Sequence, residues 1–152
     1  MQIDETDRRI LRAWQAEPDA PVVDIAERAG LSHTPCWRRM KKMEGAGIVR
    51  GKALLLDPAR LGLGVSVFAH LRLQKHDEAT VEALEDAARN CPEIVECFSM
   101  SGESDFLLRV VVRDVEAYEL FLKKTLLHFP GMGAVNSSFA LNCVKATTDL
   151  PV

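Results

Sequence analysis

No apolar run in the 152-residue chain approaches the roughly 20 residues that a membrane-spanning helix requires, so nothing in it reads as a transmembrane segment. Met1-Gln2-Ile3-Asp4 does not read as a signal peptide, and a cytoplasmic location is the expectation. Only four cysteines are present (Cys36, Cys91, Cys97 and Cys143), none in a CxxC pair. The four histidines (His33, His70, His76 and His128) do not cluster with them, so reduced thiols are expected, with no disulfide and no metal site. There is no Ser/His/Asp set, no paired-carboxylate constellation and no Gly-rich phosphate loop, which argues against an enzyme and calls for no cofactor. Glu103 and Asp105 are the one close acidic pair in a loop, and a turn accounts for them. The net charge is not positive but −3, and there is no repeat or low-complexity segment.

What the chain does have is 47% hydrophobic content, ample for packed cores, and an uneven distribution of charge. Residues 1–60 carry a net +2 and residues 61–152 a net −5. Within His33–Lys52 six cations (Arg38, Arg39, Lys41, Lys42, Arg50, Lys52) face Glu44 alone. Phosphate attraction is screened over about 8–10 Å, so a local positive surface suffices for DNA even on an acidic protein.

That surface belongs to a short helix. With Met40 centred on a helical wheel, Cys36, Trp37, Met43 and Glu44 fall within about 60° of it, and Arg38 and Lys42 about 160° away. Thr34 joins the outer face, with Arg39 and Lys41 flanking it. Ser32 is placed to cap the first turn, where Pro35 costs no needed hydrogen bond. On this wheel Trp37 lies on the buried side, and core packing is expected for it over base stacking. Two amphipathic helices precede: Asp4–Gln15, with Ile10, Leu11 and Trp14 inward, and one opened by Pro21, with Val22, Val23, Ile25, Ala26 and Ala29 inward. Gly30 sits where a helix favours a left-handed final residue. Helix, glycine turn, basic helix is the helix-turn-helix arrangement, whose second helix enters the major groove.

Ile48–Leu56 is β-rich and predicts a short strand, followed by Asp57-Pro58 and one helical turn. Beyond it, Val65–Leu73 alternates as a half-buried strand, Glu78–Asn90 has helical spacing, and Ile94–Met100 and Phe106–Val112 are strands around the turn 101–105. Asp114–His128 is a helix lined by Val115, Tyr118, Leu122, Leu126 and Phe129, and Val135–Thr147 alternates again. The fold class is therefore α+β: an N-terminal helix-turn-helix domain (1–50), a strand and turn connector (51–63) and a ferredoxin-like βαββαβ domain (64–152). Such a sheet carries its helices on one side. Phe68 and its neighbours on the other side are available to pair with a second copy, and helix-turn-helix proteins usually read two half-sites about 34–36 Å apart, so a homodimer is expected.

In sequence order, Ile3-Asp4-Glu5-Thr6-Asp7-Arg8-Arg9-Ile10-Leu11, Leu31 to Arg39, Leu56-Asp57-Pro58, Leu61-Gly62, Ser101-Gly102-Glu103-Ser104-Asp105-Phe106-Leu107-Leu108, Ser137-Ser138-Phe139 and Thr147 to Pro151 make the chain resemble the Lrp/AsnC, or feast/famine, transcriptional regulators over nearly its whole length. The resemblance implies double-stranded DNA as partner, a regulatory ferredoxin-like domain, dimers that often assemble into octamers, and control by an amino acid. On the basic helix read above, the DNA contacts expected are Ser32, His33, Thr34, Arg38, Arg39, Lys41 and Lys42. The resemblance places the effector at Ser99, Met100, Ser101, Gly102, Glu103 and Asp105, at a contact between dimers, with Ser137 lining the same cavity. The chemistry suits a zwitterion: backbone N–H groups near Gly102 take the carboxylate and Asp105 accepts from the ammonium. Gly and Asp are also ordinary turn residues that would sit there with no ligand at all. His33 and Trp37 depart from the family's commoner proline and smaller apolar residue. Thr34-Pro35-Cys36-Trp37, Gly51-Lys52 and Leu54 to Pro58 are similar to the branch that includes cysteine-responsive regulators, which makes cysteine, leucine and methionine candidate effectors. The alternative is an amino-acid-binding regulatory module whose helical head contacts a protein.

Overall fold

The computed structural model describes residues 1–152 as two compact units, Met1–Leu55 together with Lys145–Val152, and Leu56–Val144. In the first unit three helices, α1 (Glu5–Ala16), α2 (Val22–Ala29) and α3 (His33–Gly45), pack around Ile10, Trp14, Ile25, Ala26, Ala29, Cys36, Met40 and Met43. Asp4 caps α1 in a reciprocal capping box with Asp7, which satisfies two orphan donors at once. Gly30 ends α2 at φ +68°, a conformation that a side chain would strain. Pro21 stands just before α2, Val23 faces solvent, and Ser32 takes the extended N-cap backbone without a side-chain cap bond.

The second unit follows the order β1 (Val65–Leu73), α4 (Glu78–Arg89), β2 (Ile94–Ser99), β3 (Phe106–Val112), α5 (Val115–Lys124), β4 (Met132–Phe139). The four strands lie in the order β2-β3-β1-β4, antiparallel throughout. The two central strands, β1 and β3, are also the most buried. Their inward alternates, Val67, Ala69 and Leu71 with Phe106, Leu108 and Val110, join Leu84, Ala88, Tyr118 and Phe121 in one core. The outward alternates form cross-strand rows, Glu96–Arg109–Phe68–Ser138 and Phe98–Leu107–His70–Asn136. No helix of this unit covers that face.

Several expectations change. Residues 50–57 form no strand, and Leu54, Leu55 and Leu56 stand exposed, because no strand of the same chain runs beside them to complete a ladder. The last strand stops at Phe139 instead of running to Thr147. Its partner β1 begins at Val65, so pairing ends with Val67 opposite Phe139 and one further bond from Ala140 N–H to Ser66. In α5 Phe121 is buried while Val115 is exposed, and the helix tightens into a 3₁₀ turn at Leu126–His128. The final residues, expected within the second domain, pack with the first. Gln15 exchanges hydrogen bonds with the main chain of Leu150 (2.9 and 3.1 Å), and Arg12 Nε donates to the Val152 carbonyl at 2.6 Å.

Candidate nucleic-acid interface and effector loop

Helix α3 divides its cations between two duties. Arg39 donates through one nitrogen to Asp7 (2.7 Å) and Asp4 (2.8 Å), and Asp7 is the single buried charged residue of the chain. The backbone N–H of Asp7, and after it the same guanidinium, holds the Asp4 carboxyl below its ordinary value. Arg39, expected at the DNA, is thus engaged in clamping α3 to the start of α1. Lys41 pairs with Glu44 at 2.7 Å. Arg38 and Lys42 stand exposed outside these pairs, with Ser32, His33 and Thr34 also open to solvent on the first turn. The cationic fork expected from the wheel exists, and its unengaged members are Arg38 and Lys42.

Arg39→Ala leaves the buried Asp7 carboxylate without a cation. We expect the head to lose about 2 kcal/mol, reduced from the cost of a fully buried broken pair because Arg39 is partly exposed. Chemical denaturation followed by the fluorescence of Trp14 and Trp37, both in the head, reads this. An unchanged midpoint would show that Arg39 is free to serve the duplex instead.

Trp37 is not in the core; it is 45% exposed. The wheel centred on Met40 misjudged it, since the seam is centred between Cys36 and Met43, both fully buried. Trp37 lies about 100° from that centre, on the side of Thr34 and Lys41.

The loop between β2 and β3 is held from β1. Asp105 N–H donates to the Leu71 carbonyl (2.8 Å), and its carboxylate accepts from Leu73 N–H (2.7 Å) and lies 3.0 Å from His76 Nε2. That backbone donor, then His76, keeps the Asp105 carboxyl below the usual range. Arg72 Nε donates to the Glu103 carbonyl at 2.5 Å, and His70 Nδ1 is 3.2 Å from Ser104 Oγ. Between these ties Met100, Ser101, Gly102 and Glu103 are exposed, with Gly102 at φ +112° and open space where a side chain would stand. A carboxylate offers about four acceptor positions, so Asp105 retains capacity for a further donor.

Ser99 lies apart from this turn, in a groove of about 410 Å³ beside α4, with Cys97 and Phe106. Ser137 points to the helix-covered side, where its hydroxyl meets Tyr118 Oη at 2.5 Å. It sits opposite Ala69, one strand away from β3, so a single chain does not bring it to the loop. The sequence alone assigns none of His70, Arg72 and His76 to the loop. The alternation of β1, which turns His70 and Arg72 to one face and one end, is the signal that could have found two of them.

A three-helix head with a basic exposed recognition helix, joined to a ferredoxin-like domain with a braced loop, defines a DNA-binding transcriptional regulator of the helix-turn-helix class. Residues 3–44 match the AsnC-type helix-turn-helix domain, and residues 66–150 the Lrp/AsnC ligand binding domain. The chain belongs to the Lrp/AsnC family. It is 37% identical over 150 residues to the DNA-binding transcriptional activator DecR of Escherichia coli K12, covering 99% of both chains. It is 35% identical to the Bkd operon transcriptional regulator of Pseudomonas aeruginosa, over 99% of each. Among solved structures, an AsnC family regulator from Agrobacterium tumefaciens superposes with TM-score 0.92 at 41% identity, covering 98% of this chain and 97% of that one. A Neisseria meningitidis transcriptional regulator solved with L-Met gives TM-score 0.92 at 38% identity, covering 99% and 97%. Its relatives are regulators, not enzymes, and the reading of the head as a protein-contacting module is not favoured.

Proposed function

We propose that this regulator acts in the cytoplasm as a homodimer that assembles further, and that a small apolar amino acid bound at the turn Met100–Asp105 alters how its heads are spaced on DNA. Methionine is the first candidate, ahead of leucine and cysteine. The observation that carries this is the exposed turn around Gly102, braced from β1 at Asp105 and Glu103, in a chain 38% identical to a regulator that was solved with L-Met. Main-chain N–H groups beside Gly102 take the carboxylate and Asp105 accepts from the ammonium. Ser137 contributes only across a contact with another copy.

The outward face with Phe68, Phe98 and Leu107 supports pairing of two sheets, and the unpaired Leu54–Leu56 stretch supports strand addition from the second copy. Arg38 and Lys42, with Thr34 and His33, contact base edges and phosphates; Arg39 holds the helix that presents them. An effector shifts assembly only by binding one arrangement better than another.

The test is a thermal-shift screen of the twenty amino acids, followed by sizing of the complex with and without L-Met. We expect a rise in melting temperature with L-Met that saturates, and a change in assembly size. No stabilisation by any amino acid overturns the effector reading and leaves DNA binding untouched.

A further inference from the structure

Trp37 is the largest side chain on the outward arc of α3, and nearly half of it is open to solvent. Both aromatic pairs of the chain surround Tyr118, so no ring stacks on Trp37, and its indole N–H enters no hydrogen bond within the chain. It is the fifth residue of the helix, in the half that reaches base edges when a recognition helix enters the major groove. Thr34 lies three residues before it and Lys41 four residues after it, so both flank it on the helix surface. Both lie about 40–60° around the helix from Trp37, toward Arg38, so a pose that sets Thr34 and Arg38 against the duplex places Trp37 at the edge of that contact, on the side away from Lys42.

We propose that Trp37 is a specificity-determining residue that reads a thymine through its C5-methyl group. The indole body is apolar, and in the major groove only thymine presents an apolar group, whereas Arg38 and Lys42 are suited to phosphates and guanine. The indole N–H is a donor only, and it has an acceptor nearby in thymine O4 or purine N7. An ion pair cannot supply this preference, because charge attraction to phosphates is independent of sequence. The part-exposed position also explains how a side chain of this size is accommodated beside a small head core.

The experiment uses the full chain and a duplex selected by it from a randomised pool. Trp37→Ala is expected to bind that duplex about ten- to a hundredfold more weakly, the span of one good base contact, with an unchanged salt slope. Replacing each thymine in turn by deoxyuridine removes only the methyl group. One replacement should weaken the original protein several-fold and have no further effect on Trp37→Ala, while Trp37→Phe keeps part of the sensitivity. Wild-type affinity in Trp37→Ala, or an equal deoxyuridine loss in both proteins at every position, overturns the assignment. A Trp37→Ala protein that changes its assembly size without DNA also overturns it, because the indole would then face a second copy.

Discussion

Arg38→Glu together with Lys42→Glu should lower affinity for DNA on the order of a thousandfold and flatten its salt dependence. Both side chains are exposed, unlike Arg39, which is engaged with Asp4 and Asp7. Each phosphate contact contributes about 0.9 to the slope of log affinity against log salt, and each base-edge contact about 1–3 kcal/mol. Reversal removes two attractions and adds two repulsions at one surface. Fluorescence anisotropy at several salt concentrations separates the components. A slope that falls by about two assigns both residues to phosphates; a slope that falls by one with relaxed sequence preference assigns Arg38 to a base. The fold should be unaffected, because neither side chain is part of the head core. Unchanged affinity would remove α3 from the interface altogether.

Asp105 separates two functions that the sequence merges. Its carboxylate holds the loop through Leu73 N–H and His76, and it is the proposed acceptor for an amino acid's ammonium group. Asp105→Asn keeps an oxygen for Leu73 N–H and removes the charge. We expect the loop to stay in place and L-Met affinity to fall about tenfold or more, in line with the loss of a charge-assisted hydrogen bond. Asp105→Ala removes both, so Leu73 N–H loses its acceptor, and amide exchange at Leu73 and across residues 100–105 should accelerate as well. Calorimetry with L-Met and hydrogen exchange on the apo protein read the two effects separately. Normal L-Met binding by Asp105→Asn would leave Asp105 with the bracing role alone.

Helix α3 illustrates what a wheel can and cannot resolve. Its apolar residues define a seam, and Cys36, Met40 and Met43 are indeed buried. The direction of the seam within about 50° depends on how α1 and α2 pack against it, and that decided the position of Trp37. Arg39 differs in kind. A cation flanking the outer face is equally suited to phosphate or to a carboxylate on another helix, and only the approach of Asp4 and Asp7, more than thirty residues earlier, distinguishes them. Ser137 falls on the expected strand and Tyr118 on the expected inner side of its helix, but only the packing of one element on the other brings their hydroxyls together.

Periodicity and punctuation along the chain were enough to determine the three helices of the head, the βαββαβ order and the basic helix, because each rests on contacts between near neighbours. Family resemblance then pointed to the loop at Gly102 as the proposed effector site. Tertiary structure alone decided which cations are spent internally, which side chains brace the loop, where β4 ends and that residues 145–152 join the head. Those outcomes turn on hydrogen bonds between residues 30 to 140 positions apart, where short-range patterns carry no information about which donor meets which acceptor.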